Sequence, residues 1–160
     1  MSKKAIAIIV AVLIVAVAVL AIVNRNNSED RPGMIISAGG SETAVAWEDI
    51  KAQKFEGDTV NGKGEKFHNT YEGAELSAIL EDKGIDITEN TVVTVTSEDN
   101  YSAELTGAEI LQSGKVYVAL TQDGEIMEGI EGGQGAQLIV FGDPNSKRAV
   151  RYMKTVSIDG

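Results

Sequence analysis

Residues 91–105 read TVVTVTSEDNYSAEL, and this stretch decides the class of fold. Thr91 to Thr96 consists of threonine and valine alone, β-branched side chains that crowd a helix and suit a pleated surface. Ser97 to Asn100 supplies turn residues, and Tyr101 to Leu105 returns as a second extended segment, so a β-hairpin is predicted here. Working outward toward the C-terminus, Thr106 stands three residues before Glu109. That is a capping-box spacing, and it predicts a short helix through Ile110 and Leu111. Val116 to Leu120 and Gln137 to Phe141 read as strands, with the glycine-rich segment 124–135 between them as a flexible surface loop. Gly142-Asp143-Pro144-Asn145 is a turn, and Ala149 to Ile158 is read as one last extended segment.

Toward the N-terminus, Leu76, Ile79 and Leu80 keep helical spacing, and Gly84 falls at the C-cap position. Lys54 to Val60 and Glu65 to Tyr71 flank the turn signal Asn61-Gly62-Lys63-Gly64 and predict a second hairpin. Trp47 to Lys51 reads as one helical turn. Many short strands, few short helices and no regular β-α-β alternation define an α+β fold with a mixed, mainly antiparallel sheet.

Farther out, Ala5 to Val23 contains only Ala, Val, Ile and Leu. As a helix it spans roughly 28 Å, close to the hydrocarbon thickness of a bilayer. A cleavable signal peptide has a shorter apolar run followed by a small-residue cleavage site; Ala16-Val17-Ala18 lies inside the run instead. The reading is a retained anchor, with residues 1–4 in the cytoplasm because Lys3 and Lys4 precede the span. Residues 24–43, polar and small with Pro32 and Gly39-Gly40, are read as a tether in which Met34-Ile35-Ile36 forms a short edge strand. Residues 44–160 are then an extracytoplasmic domain on a single-pass membrane protein.

The whole chain carries 24 acidic and 14 basic side chains, a formal charge of −10. A field of that sign repels phosphate backbones and argues against nucleic acid as a partner. The chain has no cysteine, which removes thiolate nucleophiles, thiolate metal ligands and disulfides together. His68 is the single histidine, with no second histidine to build a zinc motif. No G-x-S-x-G elbow, Walker loop or calcium loop is present. Glycines at 124, 129, 132, 133 and 135 match no phosphate-binding fingerprint, and Glu128 and Glu131 stand among them. Lys147, Arg148, Arg151 and Lys154 concentrate positive charge in one C-terminal stretch. On an extended strand Lys147 and Arg151 would share a face, with Arg148 and Lys154 on the other.

Taken in order, several of these pieces resemble one family. Trp47 to Lys51, then Tyr71-Glu72-Gly73-Ala74-Glu75-Leu76-Ser77-Ala78-Ile79-Leu80 with Gly84-Ile85, is similar to the W/Y-x-G-v-x-L-x-x-L-L…G-I block of the sulfite-oxidase-type molybdopterin-binding fold. Ser97 to Ser102 resembles its s-x-D-G-Y-s hairpin, with Asn100 for the turn glycine. Val116 to Leu120, Asp123-Gly124-Glu125 and Leu138 to Gly142 resemble its l-a-y-x-x-n/d-G-e…L-v-v-P-G segment. Arg148 to Lys154, with Val156 and Ile158, is similar to its closing K-x-V-K-W-V-x-x-I block, so the resemblance spans about residues 44–159.

The resemblance implies an α+β fold that, in full-length enzymes, binds a molybdenum–pterin cofactor through a cysteine thiolate. The loop that would carry that cysteine is Asn61 to Lys66, and the arginine common before the L-v-v-P-G segment is Gln137. Of the family's basic positions near the pterin phosphate, Arg148 and Arg151 are retained. With Lys147 and His68 they form the candidate cofactor- or ligand-binding set. Without the cysteine, the expected function is a non-catalytic module, with no cofactor expected although the resemblance implies molybdopterin. It would bind a small anionic ligand, or a membrane or redox protein partner, at the membrane surface. Two alternatives stand: an active molybdopterin-dependent oxidoreductase with a non-cysteine metal ligand, and a cell-wall glycan-binding or hydrolase domain stacking its ligand on Tyr71, Tyr101 and Trp47.

Overall fold

The computed structural model describes residues 31–159. The expected cytoplasmic residues 1–4, the anchor at 5–23 and the tether up to residue 30 lie outside the described residues. In chain order the described elements begin with β1 (Gly33–Ala38), β2 (Ser41–Ala46), a 3-10 turn (Trp47–Asp49), β3 (Gln53–Val60) and β4 (Lys66–Glu75). They continue with helix α1 (Leu76–Asp82), β5 (Val92–Ser97), β6 (Ser102–Thr106) and helix α2 (Gly107–Leu111). The last four are β7 (Val116–Gln122), β8 (Glu125–Ile126), β9 (Gln137–Val140) and β10 (Met153–Asp159). This is the α+β fold expected, with mixed, mainly antiparallel sheets and few short helices.

The strands form two five-stranded sheets. The first has the order β2-β1-β10-β5-β6; the second runs β3-β4-β7-β8, with β9 also paired to β7. Only β1 and β10 pair in parallel, setting Ile35 beside Thr155 and Ile36 beside Val156. The 91–105 stretch forms the expected hairpin, with Val93 opposite Leu105 and Val95 opposite Ala103. Alternation puts Val93 and Val95 at 0% exposure on the core side of the sheet. Asn100, at the tip, takes a positive φ of 66°, which asparagine tolerates and which accounts for its standing where the family pattern has glycine.

Core residues from both sheets meet: Ile36, Val95, Leu105 and Val156 from the first, and Val116, Val118, Leu138 and Val140 from the second. Leu76, Ile79 and Leu80 of α1 and Ile110 of α2 complete this core. Burial of these side chains, each contributing about 1.5–3 kcal/mol, makes the two-sheet packing the dominant stabilising term. The capping box at α2 forms as expected: Thr106 accepts from the Glu109 amide, and Glu109 accepts from the Thr106 amide at 3.1 Å. Gly84 follows α1 at φ +67°, the left-handed cap that glycine reaches without strain.

Four expectations are corrected. Met34-Ile35-Ile36 is not an edge strand, because β1 lies between β2 and β10, with Met34 and Ile36 buried. The folded unit therefore takes in residues 33–43, which the tether reading placed ahead of it. Ala149 to Ile158 is not one extended segment, since β10 begins at Met153 after Tyr152 turns to φ +53°. Lys147 and Arg148 lie on a turn and Arg151 on a bend, so the face-sharing argument does not apply. The segment 124–135 is not a free loop: its Gln134 side chain donates to the Leu120 and Gly135 carbonyls at 3.0 and 2.8 Å.

Candidate functional site

The outer face of the second sheet, away from the main core, carries its own small cluster. Phe55, Tyr71, Tyr117 and Phe141 pack there over Ala119 and Ile139. Phe55 stacks on Tyr117 with centroids 4.0 Å apart and on Tyr71 at 5.2 Å, while Phe141 meets all three rings edge-on. Gly57 makes room for Phe141, since a Cβ there would stand 2.5 Å from the ring. Such aromatic pairs contribute about 0.5–1.5 kcal/mol each beyond their burial. The cluster separates two cavities.

The first cavity, about 550 Å³, lies between the segment after β2, the end of β4 and helix α1, with Ile50, Phe55, Ile79 and Tyr117 on its walls. Several of its charged groups are engaged within the protein. Lys51 donates to Asp82 at 2.6 Å, Lys83 reaches the same carboxylate at 3.1 Å, and Lys54 faces Glu72. Glu75 accepts from the Gly114 amide at 2.9 Å and from the Ser113 and Tyr117 hydroxyls. Burial, and then the Glu75 charge, raise the Tyr117 phenol above its ordinary pKa.

The second cavity, about 340 Å³, opens beyond Tyr71. Strand alternation builds its floor: Phe67, Asn69 and Tyr71 of β4 project on the same side, joined by Gln122 of β7 and Gln137 of β9. Asn69 donates to the Tyr71 hydroxyl at 3.2 Å and to the Thr59 hydroxyl at 3.3 Å, which aims its own carbonyl oxygen away from both. Gln122 and Gln137 spend no side-chain hydrogen bond on any described residue. The turn after β9 forms the wall, with Asp143, Asn145, Ser146 and Arg151 facing inward, and Asn61 of the β3–β4 turn sits at the lip.

That wall is braced from behind by Arg148. Its Nε donates to Asp143 Oδ2 at 2.8 Å, a second donor forks onto Asp143 Oδ1, and Nη1 reaches Glu109 Oε1 at 2.9 Å. The forked pair with Asp143, the strongest geometry available to a guanidinium, locks the loop to helix α2. Burial alone would raise the Glu109 carboxyl, but the Thr106 amide and Arg148 outweigh it and hold it below the usual range. Asp143, first of all, and then Glu109 hold Arg148 even more firmly protonated than usual. The Tyr101 hydroxyl adds a hydrogen bond to the Lys147 carbonyl, and the Lys147 amide donates to Asn145 Oδ1 at 2.9 Å.

Of the four candidate residues, Arg151 alone lines this cavity. It is exposed and makes no ion pair with any described residue. Arg148 is consumed by two carboxylates, a role that sequence could not reveal because Glu109 is remote along the chain. Lys147 contributes its backbone, and its side chain points to solvent. His68 is excluded by the same alternation that built the floor, since it points to the opposite side from Phe67 and Asn69. There it meets its cross-strand neighbour Asp58 at 2.7 Å, and Glu56 at 3.9 Å. The hydrogen bond with Asp58 raises its pKa. Two of the three proposed stacking surfaces need correction, because Trp47 and Tyr71 are buried at 4% and 2% exposure, while Tyr101 is exposed but does not line this cavity. The aromatic ring available at the cavity is Phe67, 48% exposed. Sequence reading missed it along with Asn69 and Gln122, since neutral side chains on alternating strand positions carry no motif.

The molybdenum–pterin group implied by the resemblance can be tested against this donor set. The cavity offers amides, hydroxyls, one guanidinium and the Asp143 carboxylate, which Arg148 already holds, and the chain has no thiol. Among the described residues no three His, Cys, Asp or Glu are gathered to hold a metal ion. Amides are poor ligands where a soft thiolate is required, and Arg151 is the one unpaired cation in the wall. The donor set does not fit that group.

No family model and no curated protein matches the chain. The class its fold defines is shared with an oxidoreductase of known structure. The chain is similar to the sulfane dehydrogenase SoxCD from Paracoccus pantotrophus, with a TM-score of 0.63 and 14% sequence identity. The match covers 82% of this chain and 38% of that one, so the chain spans well under half the length of this neighbour. At that identity the likeness shows the fold alone.

Proposed function

We propose that this protein is a membrane-anchored, extracytoplasmic binding module, built on an oxidoreductase-type fold and acting without redox chemistry of its own. The observation that carries the reading is the second cavity, where a guanidinium with no ion pair to any described residue and two amides with no side-chain hydrogen bond to one line the same space. Arg151 is exposed and both glutamines are half-buried, so donors and acceptors left to water converge on one cavity, as at a ligand site before its ligand arrives. Arg151 selects for negative charge, and the missing thiolate removes the family's route to molybdenum. The run from Ala5 to Val23 supports the membrane location, and Lys3 and Lys4 support the domain's placement outside.

The test uses the full-length protein from cells grown with ample molybdenum. Metal content by mass spectrometry should show none retained, and protease added outside intact cells should cut the domain from its anchor. Stoichiometric molybdenum in folded protein would replace this reading with an active oxidoreductase using an oxygen or nitrogen ligand.

A further inference from the structure

Resting on that reading of the second cavity, we propose that its ligand is a sugar acid: a pyranose ring carrying a single carboxylate. Three features of the cavity select this class. The first is charge. One unpaired guanidinium, Arg151, faces the space, and the Asp143 carboxylate lies in the same wall with Arg148 as its partner. The whole chain carries −10. One cation among so many anions suits one negative charge; a phosphate or diphosphate, with two or more, meets an uncompensated repulsion.

The second feature is the direction of the polar groups. Asn69, Gln122 and Gln137 stand on the sheet and form the floor, while Asn145, Ser146 and Arg151 come from the side wall. A planar heterocycle holds its donors and acceptors in the ring plane, so it would leave either the floor or the wall amides unpaired. Unpaired buried polar groups cost about 1–3 kcal/mol each. A pyranose directs hydroxyls both around and out of its mean plane, and each hydroxyl donates and accepts, as each amide does.

The third feature is Phe67, nearly half exposed on the same side of β4 as Asn69. It is an apolar plate beside the polar floor, suited to the C–H face of a sugar ring. The volume of about 340 Å³ lies at the small end of ligand cavities and suits one or two rings. The same chemistry occurs in a free sugar acid and at the end of an acidic polysaccharide.

Isothermal titration of the full-length protein in detergent micelles tests this with D-glucuronate, D-glucose, glucose 6-phosphate, orotate and a galacturonate trisaccharide. Glucuronate should bind about tenfold or more tightly than glucose, the worth of one charge-assisted hydrogen bond. Arg151→Gln should abolish that margin, and Arg151→Lys should recover part of it. Tighter binding of the trisaccharide than of glucuronate identifies a polysaccharide end as the source; equal binding identifies the free acid. Glucose 6-phosphate or orotate binding more tightly than glucuronate, through Arg151, would overturn the sugar-acid class while leaving the cavity a ligand site. No binding of any probe by folded protein would overturn both the class and the reading beneath it.

Discussion

The two cavities lie on either side of one aromatic cluster, yet they spend their polar groups in opposite ways. Around the larger, Lys51, Lys83 and Asp82 neutralise one another, and Glu75 is filled by the Ser113, Gly114 and Tyr117 donors. Around the smaller, Arg151 has no ion pair and Gln122 and Gln137 no side-chain hydrogen bond with any described residue. Volume alone would favour the first as the binding site; the state of the hydrogen-bonding groups favours the second. The same contrast recurs three residues apart in sequence, where Arg148 is locked between Asp143 and Glu109 and Arg151 is not. A retained arginine is therefore a poor guide to function until its partners are known.

The most disruptive way to break the comparison is to remove the partition. Tyr71→Ala should destabilise the domain by about 3–5 kcal/mol, as large aromatic truncations in cores do, and merge the cavities. Urea unfolding of the variant would show this, and a loss under 1 kcal/mol would mean that the cluster is not a true core. Next, Arg148→Ala should cost about 1–3 kcal/mol, because Glu109 and Asp143 lose their shared cation while mostly shielded from water. Arg151→Ala should stay within about 0.5 kcal/mol of the parent in the same urea unfolding. Equal losses for the two would erase the distinction between brace and binder.

A gentler probe addresses the filled cavity. Glu75→Gln should bring the Tyr117 phenol down toward its ordinary pKa, read by ultraviolet titration, because burial raises it and the Glu75 charge adds to that. An unmoved titration would show that burial acts alone. The smallest effect is expected at His68, outside both cavities. Its pKa is raised by Asp58, so the stability it contributes is present below the unperturbed value of about 6.5 and lost as pH rises through the raised one. The melting temperature of the parent should exceed that of His68→Gln at pH 5.5 and match it at pH 9, with ligand affinity equal in both. A change in affinity would return His68 to the site.

Local chemistry made much of the fold legible. The β-branched run at 91–96, the Thr106–Glu109 cap and the glycine after α1 each act within a few residues, and each forms the element expected of it. What escaped depends on distant partners. Met34 to Ile36 is too short to announce an interior strand, and β10, its parallel neighbour, comes from the far end of the chain. Tyr152 has no glycine or proline nearby to signal its left-handed turn, so the basic stretch looks straight in sequence. For the site, Arg151 was found through the family pattern and His68 was misplaced, although simple alternation from Phe67 and Asn69 already sets it on the other side. The pairing of Arg148 with Glu109 had no local signal at all.

The parallel pairing of β1 with β10 also bears on how the molecule is made. The first sheet has its central strand at residues 153–159 and its neighbour at 33–38, so the sheet is incomplete until both are present. Pairs so far apart in sequence close large loops before any contact rewards them, which slows folding. During vectorial synthesis the early strands must wait, with the Met34 and Ile36 side chains uncovered, until the last strand emerges. A chain shortened by those final residues loses the centre of a sheet, and with it the support of everything packed against it.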